Sequence, residues 1–205
     1  YQQSSAAGIM DSFLTAVSNS ASHPPVPTGF VGLDKLLDGG LYDGLYTLGA
    51  VSSLGKTSFV LQMCDQITAA GHDVLYVALE MSRDELIAKS VSRYTYDITQ
   101  EQGLDRGIAK TTRGILSGVR YARYNEREMQ TIAAAVDRYT RENAHHMWII
   151  EGMGCVGVED IRRRVEEHIR LTGNRPVVVV DYLQLLAPQD VHASDKQNTE
   201  RNVLE

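Results

Sequence analysis

The sequence predicts an α/β fold, a parallel sheet with helices on both faces, and three observations carry that reading. Four apolar runs, Leu45–Leu48 (LYTL), Asp73–Leu79 (DVLYVAL), Met147–Glu151 (MWIIE) and Val177–Val180 (four valines), lack polar alternation, as strands covered on both faces do. The stretches between them space their apolar residues at the helical period. The first run leads into a loop of small residues and then Gly55-Lys56-Thr57, which opens a helical pattern. A loop at the carboxyl end of a strand, running into a helix start, turns backbone N–H groups toward one point and favours an anion there.

Composition bounds the rest. The chain has 205 residues, enough for one substantial domain, and its 43% hydrophobic and 22% charged content is that of a soluble globular protein. No apolar run approaches the ~20 residues of a membrane span, and the opening YQQSSAAGIM is not a secretory signal. Cys64 and Cys155 stand far apart in apolar surroundings and read as reduced core residues of a cytosolic protein. The net charge of −6 does not advertise nucleic-acid binding, so any such contact needs a local basic surface.

In chain order, Ile9, Met10, Phe13, Leu14 and Val17 form one face of a short helix that must dock on something, its own domain or a neighbour. The Pro-rich stretch 18–28 then reads as an extended tether, making 1–27 a linker and 28–205 the main domain. Leu33 to Leu41 predicts a short helix ending in glycines. After the phosphate loop, Phe59, Val60, Met63, Cys64, Ile67 and Ala70 predict a buried helix face stopped by Gly71. Ser82-x-x-Glu85 is a capping box opening a helix from Arg83 to about Tyr94. The stretch 97–124 is the least regular. Its Lys110, Arg113, Arg120 and Arg123, with Tyr121 and Tyr124, can hold phosphates and stack bases, against the commoner reading of a solvated face. Asn125-x-x-Glu128 caps a further helix with Met129, Ile132, Val136 and Tyr139 inward. His145 and His146 read as loop polar residues without ligand spacing. Val158, Ile161, Val165 and Ile169 line a last helix, with Arg162, Arg163 and Arg164 solvated or paired on its outside. Residues 198–205 read as a helix just starting, so the fold is expected to be truncated at its C-terminal end.

The chemistry concentrates in three places. Ala50, Val51, Ser52, Ser53, Leu54, Gly55, Lys56, Thr57 and Ser58 form the phosphate loop: Lys56 supplies a mobile cation for the outer phosphates, and the Thr57 hydroxyl suits Mg²⁺. The usual pattern wants glycine where Ala50 stands; alanine still permits close approach but resists a positive φ. Asp181 ends a strand and can hold Mg²⁺ through water, as the companion of such a loop. Glu80, at the end of another strand, suits a base that activates water, and is otherwise an ordinary acid before a helix. Gln184 is either a sensor of the γ-phosphate or loop filler; spacing does not decide.

These residues carry a resemblance. Ala50 to Thr57 is similar to the phosphate loop of the DnaB-type replicative DNA helicases, in which alanine often replaces the first glycine. Leu79-Glu80-Met81-Ser82 resembles that family's glutamate motif, and Asp181-Tyr182-Leu183-Gln184-Leu185 its Asp-Tyr-Leu-Gln signature. The resemblance covers about residues 8–205 and implies a RecA-like ATPase domain. It also implies ATP and Mg²⁺ as cofactors, single-stranded DNA as track, a ring homo-hexamer, and a primase and a helicase loader as partners. The family's Arg finger and DNA-contacting loops are expected after the Asp-Tyr-Leu-Gln motif, and segment 9–17 resembles its linker helix, which docks on the adjacent subunit. The Val51–Leu54 loop and the long 103–118 stretch depart from the usual pattern and suggest a divergent branch of phage or mobile-element type. Two other readings compete: a recombination ATPase that forms filaments, and an ATP-switched loader or regulator. The Asp-Tyr-Leu-Gln motif weighs against the first and Glu80 against the second.

Overall fold

The computed structural model describes residues 5–20, 24–51, 53–152 and 156–187. The chain divides into two compact units, Tyr1–Leu48 and Gly49–Glu205. In the first, helix α1 (Ala6–Ser20) contains the predicted helix 9–17, and its apolar face of Ile9, Met10, Phe13, Leu14 and Val17 is exposed. Helix α2 (Val31–Leu36) follows a turn locked by Asp34, whose carboxylate accepts the Thr28 hydroxyl at 2.6 Å and the Thr28 and Gly29 N–H groups. Those bonds, the Thr28 hydroxyl first, hold the Asp34 carboxyl below its usual range. Val26 and Leu41 form an antiparallel bridge; a Cβ at Gly40 would lie 2.3 Å from the Val26 carbonyl oxygen, so only glycine fits.

The expected strand at 45–48 is absent. Those residues are irregular, with Leu45, Tyr46 and Leu48 exposed, and no ladder partner binds their backbone among the described residues. An apolar run is a strand only when a neighbour supplies its hydrogen bonds.

The second unit is built on a three-stranded parallel sheet of order β2-β1-β3 among the described residues. Strands β1 (Val74–Ala78), β2 (Met147–Glu151) and β3 (Val177–Asp181) run in register, with Ala78 opposite both Glu151 and Asp181. The sequence placed all three to within a residue or so at their ends. Val77, Ile150 and Val180 share one face and pack with Val158 and Ile161 of α8 (Val158–Thr172). Tyr76 precedes Val77 and so points to the opposite face, where Cys64 and Asp65 of α3 (Lys56–Ala69) lie near it. Helices therefore flank both faces. Central β1 is buried along its length; β3 is not, because among the described residues it has a partner on one side only, and Val178 is exposed where full burial was expected.

Helix α4 (Arg83–Glu101) runs two turns beyond the expected end near Tyr94. It packs on α7 (Glu126–Tyr139) through Val91, Tyr94, Ile98, Ala135 and Tyr139, the two tyrosine rings edge to face at 6.4 Å. Both predicted capping boxes are formed, Ser82 with Glu85 and Asn125 with Glu128. Short helices α5 (Thr112–Leu116) and α6 (Gly118–Tyr121) occupy the stretch that was illegible in sequence. Two helix faces are rotated from expectation. Helix α3 buries Leu61, Cys64, Asp65, Ile67 and Thr68, while Phe59 and Ala70 are exposed; in α7, Val136 is exposed and Ala135 buried. In both cases a buried polar or small residue extends the inward face, and apolar periodicity does not see it. The Arg triplet of α8 pairs outward, Arg162 with Glu159, Arg163 with Asp160 and Arg164 with Glu167.

Two polar networks tie these parts together. Asp65 of α3, 1% exposed, accepts the Ser90 hydroxyl and the Arg93 guanidinium of α4, each at 2.7 Å; burial pushes its carboxyl up to about 6. Asn143 donates to the Asp65 carbonyl and to Thr68 Oγ1, and accepts the Tyr94 hydroxyl. At the amino end of the sheet, buried Asp73 holds His146 Nδ1 at 2.7 Å, His168 Nε2 at 3.0 Å and Asn174 Nδ2 at 3.0 Å. His146, expected as a loop residue, is thus part of a tie between segments that precede all three strands. Trp148 stands edge-on to His168, ring centroids 4.5 Å apart. Cys64 is a buried free thiol, raised by burial; Cys155 lies outside the described residues.

Candidate functional site

The site sits at the carboxyl end of the sheet, where a parallel α/β fold gathers loops and helix starts. Gly55 caps α3 with φ 97° and ψ 21°, a left-handed conformation that suits glycine. From there Lys56, Thr57 and Ser58 form the first turn, whose N–H groups have no intrahelical acceptor; the ladder starts with Phe59 N–H on the Gly55 carbonyl at 2.9 Å. The loop ahead turns through Leu54 N–H to the Val51 carbonyl, with Ser53 at φ 63°. Ala50 is not among the positive-φ residues, so alanine in place of glycine costs the backbone nothing there. Val51 and Leu54 are exposed, and Ser52 lies outside the described residues.

Lys56 Nζ rests 4.4 Å from the centroid of the Tyr182 ring, which joins the phosphate loop to the residue after Asp181. Asp181 itself is 6% exposed and accepts the Tyr76 hydroxyl at 2.8 Å; burial first, then the Asp181 charge, pushes the Tyr76 hydroxyl well above its ordinary range. Glu80 lies just beyond β1, exposed, with no hydrogen-bond or ion-pair partner among the described residues. Leu79, beside it, donates its N–H to the Asp181 carbonyl at 3.0 Å, so the glutamate and aspartate motifs are joined directly. Gln184 lies exposed in a 3-10 turn, Leu183–Leu185, three residues from Asp181.

Sequence reading missed three participants. Glu151 ends β2 beside Ala78 and binds Arg83 at the start of α4. Tyr76 and Tyr182 contact Asp181 and Lys56. A strand-end carboxylate was a signal available for Glu151; the tyrosines' contacts are set by the fold alone. The basic stretch is partly committed elsewhere: Lys110 donates to Glu128 and to the Gly107 carbonyl and lies over the Tyr124 ring, while Arg113, Arg120 and Arg123 are exposed. Lys110 also borders a cleft of about 460 Å³ between α3 and α4, reached by Ser58, Gln62, Asp65, Lys89 and Arg93. No helix among the described residues is long and apolar enough to cross a membrane.

Known proteins share this fold. Residues 25–204 match the model of the DnaB-like helicase C-terminal domain. Over 174 residues the chain is 26% identical to the replicative DNA helicase DnaB of Haemophilus influenzae, covering 84% of this chain and 33% of that protein. It is 37% identical over 70 residues to the DnaB of Helicobacter pylori, 34% of this chain and 14% of that one. The chain thus spans about a third or less of the curated relatives it matches. Among solved structures, the fold is shared with the ATPase domain of G40P (TM-score 0.69, 21% identity, 95% of this chain and 64% of that one). It is shared too with a DnaB-like replicative helicase solved to show its interactions with primase (TM-score 0.71, 21% identity, 92% of this chain and 42% of that one). With three motifs on one sheet edge and a family match over most of its length, the chain belongs to the DnaB-like helicase C-terminal domain family.

Proposed function

We propose that this chain is the motor domain of an ATP-dependent replicative DNA helicase, in which hydrolysis drives movement along single-stranded DNA and duplex unwinding. The observation that carries the reading is the shared edge: Glu80, Asp181 and the start of α3 converge where Leu79 bonds Asp181 and Lys56 stacks on Tyr182. The residues present fit a triphosphate and its metal. The open N–H groups of the α3 start and the loop 50–58 would cradle the phosphates, with Lys56 turning from the tyrosine ring to the outer ones. Thr57 and Asp181 would hold Mg²⁺, which neutralises phosphate charge when bound. Glu80, without a partner among the described residues, would orient water and take its proton; Gln184 would follow the state of the γ-phosphate.

The family's ring form fits the exposed apolar face of α1, carried by the linker 1–27, as a hook to a neighbouring copy around the ATPase domain 28–205. Sedimentation of the full chain reads that directly. A primase and a loader are the partners we expect, in the cytoplasm. A recombination ATPase would instead grow filaments on DNA, which electron microscopy separates from closed rings. The defining experiment is Glu80→Gln in the full chain: ATP should bind normally and turn over about 10²-fold more slowly, because the shape stays and the base is gone. Near-normal turnover at saturating ATP would sink the assignment.

A further inference from the structure

We propose that Glu151 is a positioning residue for Glu80, acting through the main chain of Arg83; this rests on the reading of Glu80 as the base. Glu151 closes β2 in register with Ala78 at the end of β1. Its Oε1 accepts the Arg83 backbone N–H at 2.8 Å and its Oε2 accepts Arg83 Nε at 3.0 Å. Arg83 is the first residue of α4, and its N–H is one of the donors a helix start leaves over. The capping box satisfies two others, Ser82 N–H by Glu85 and Glu85 N–H by Ser82, but not this one. Glu151 takes it, and places its negative charge at the positive end of the helix. The Arg83 N–H, and then its side chain, hold the Glu151 carboxyl below its usual range.

The corner that carries Glu80 is therefore pinned at both ends. Leu79 N–H is held by the Asp181 carbonyl from β3, and Arg83 N–H by Glu151 from β2. Only Glu80, Met81 and Ser82 lie between. A base must sit within a fraction of an ångström of its working place, and supporting hydrogen bonds supply that precision. The ion pair is too exposed, at 59% and 37%, to serve stability as a salt bridge of any consequence; the main-chain bond is the part that fixes geometry. Both oxygens of Glu151 are engaged, so it does not compete with Glu80 as the base.

The test is steady-state ATP turnover with separate nucleotide affinity and thermal stability, all on the full chain. Glu151→Ala should lower kcat by about 10-fold while the nucleotide Kd stays within about twofold, since misplacing a catalytic group costs rate rather than binding. Glu151→Gln keeps a carbonyl acceptor for the Arg83 N–H and should recover most of the rate. Arg83→Ala keeps that N–H and should cost less than Glu151→Ala. Glu80→Gln runs alongside. If Glu80→Gln is inactive and Glu151→Ala keeps wild-type kcat, the positioning role is wrong and the base assignment stands. A kcat loss matched by an equal loss of nucleotide affinity and stability also overturns it, in favour of a structural role. If Glu80→Gln itself turns over normally, the failure lies in the assignment of the base.

Discussion

Asp73 and Asp181 are both aspartates at strand ends, 3% and 6% exposed, at opposite ends of one sheet. A carboxylate offers about four acceptor sites. Asp73 spends three on His146, His168 and Asn174; Asp181 spends one, on the Tyr76 hydroxyl. The amino end spends most of its capacity within the protein, tying together the segments that lead into the strands. Among the described residues, the carboxyl end keeps unspent capacity, in Asp181, in Glu80 without a partner and in the N–H groups at the start of α3. Polar groups that a fold leaves unsatisfied where loops meet remain available to a ligand, and by that measure, rather than by burial, Asp181 differs from Asp73.

The comparison can be broken from the carboxyl end first. Lys56→Ala should weaken ATP binding by about 10²-fold or more, the ~3 kcal/mol expected for truncating one partner of a charged, hydrogen-bonded contact, with no loss of thermal stability. Isothermal titration on a folded variant reads this, and an unchanged Kd would place the nucleotide elsewhere. The mirror experiment is Asp73→Ala, which leaves buried His168 without its acceptor and releases the more exposed His146 and Asn174. It should cost about 3 kcal/mol of stability by urea unfolding and leave nucleotide affinity unchanged once folded.

That second variant also carries a pH dependence. Burial pushes the Asp73 carboxyl up, but the bonds from His146, Asn174 and His168 outweigh it and leave the value below 3.8. A depressed carboxyl contributes stability that is present above its unfolded value and lost as pH falls through the folded one. The gap between wild type and Asp73→Ala should therefore be full at neutral pH and narrow only in strong acid. A gap that closed well above that acid range would mean that these bonds do not hold the carboxyl ionised. The smallest expected effect is Tyr76→Phe. It removes the hydroxyl that orients Asp181 and should raise the Mg²⁺ requirement of ATP turnover by about 10-fold, as loss of a ligand's supporting hydrogen bond does. No change would mean that Asp181 is oriented by its backbone alone.

Much of the carboxyl end was legible because each of its parts is marked by its immediate neighbours in sequence: the phosphate loop, Glu80 with its capping box, and Asp181 at the end of a valine run. The apolar run gave β2 to the residue, since MWIIE is bounded by His145 and His146 before it and by Gly152 after it. The amino end was illegible because its members are far apart; Asp73 and His168 are 95 residues from each other, and nothing local marks either. The strand expected at 45–48 failed for a related reason, since composition makes a segment able to pair but does not supply the partner. Glu151 falls between these cases. It was visible as the end of a strand, but its bonds to Arg83 depend on the register of β2 against β1.

The edge-on contact of Trp148 with His168 gives the protein an optical property. Trp148 is the chain's one tryptophan, so its intrinsic emission comes from a single place, beside His168 of the Asp73 cluster. The indole lies edge-on to the His168 ring, so the emission reports on the packing at that end of the sheet. It reports nothing of phosphate chemistry at the opposite end unless the sheet transmits it. A nucleotide titration followed by tryptophan fluorescence therefore measures the rigidity of the sheet: a silent signal at saturation means that the two ends are mechanically independent.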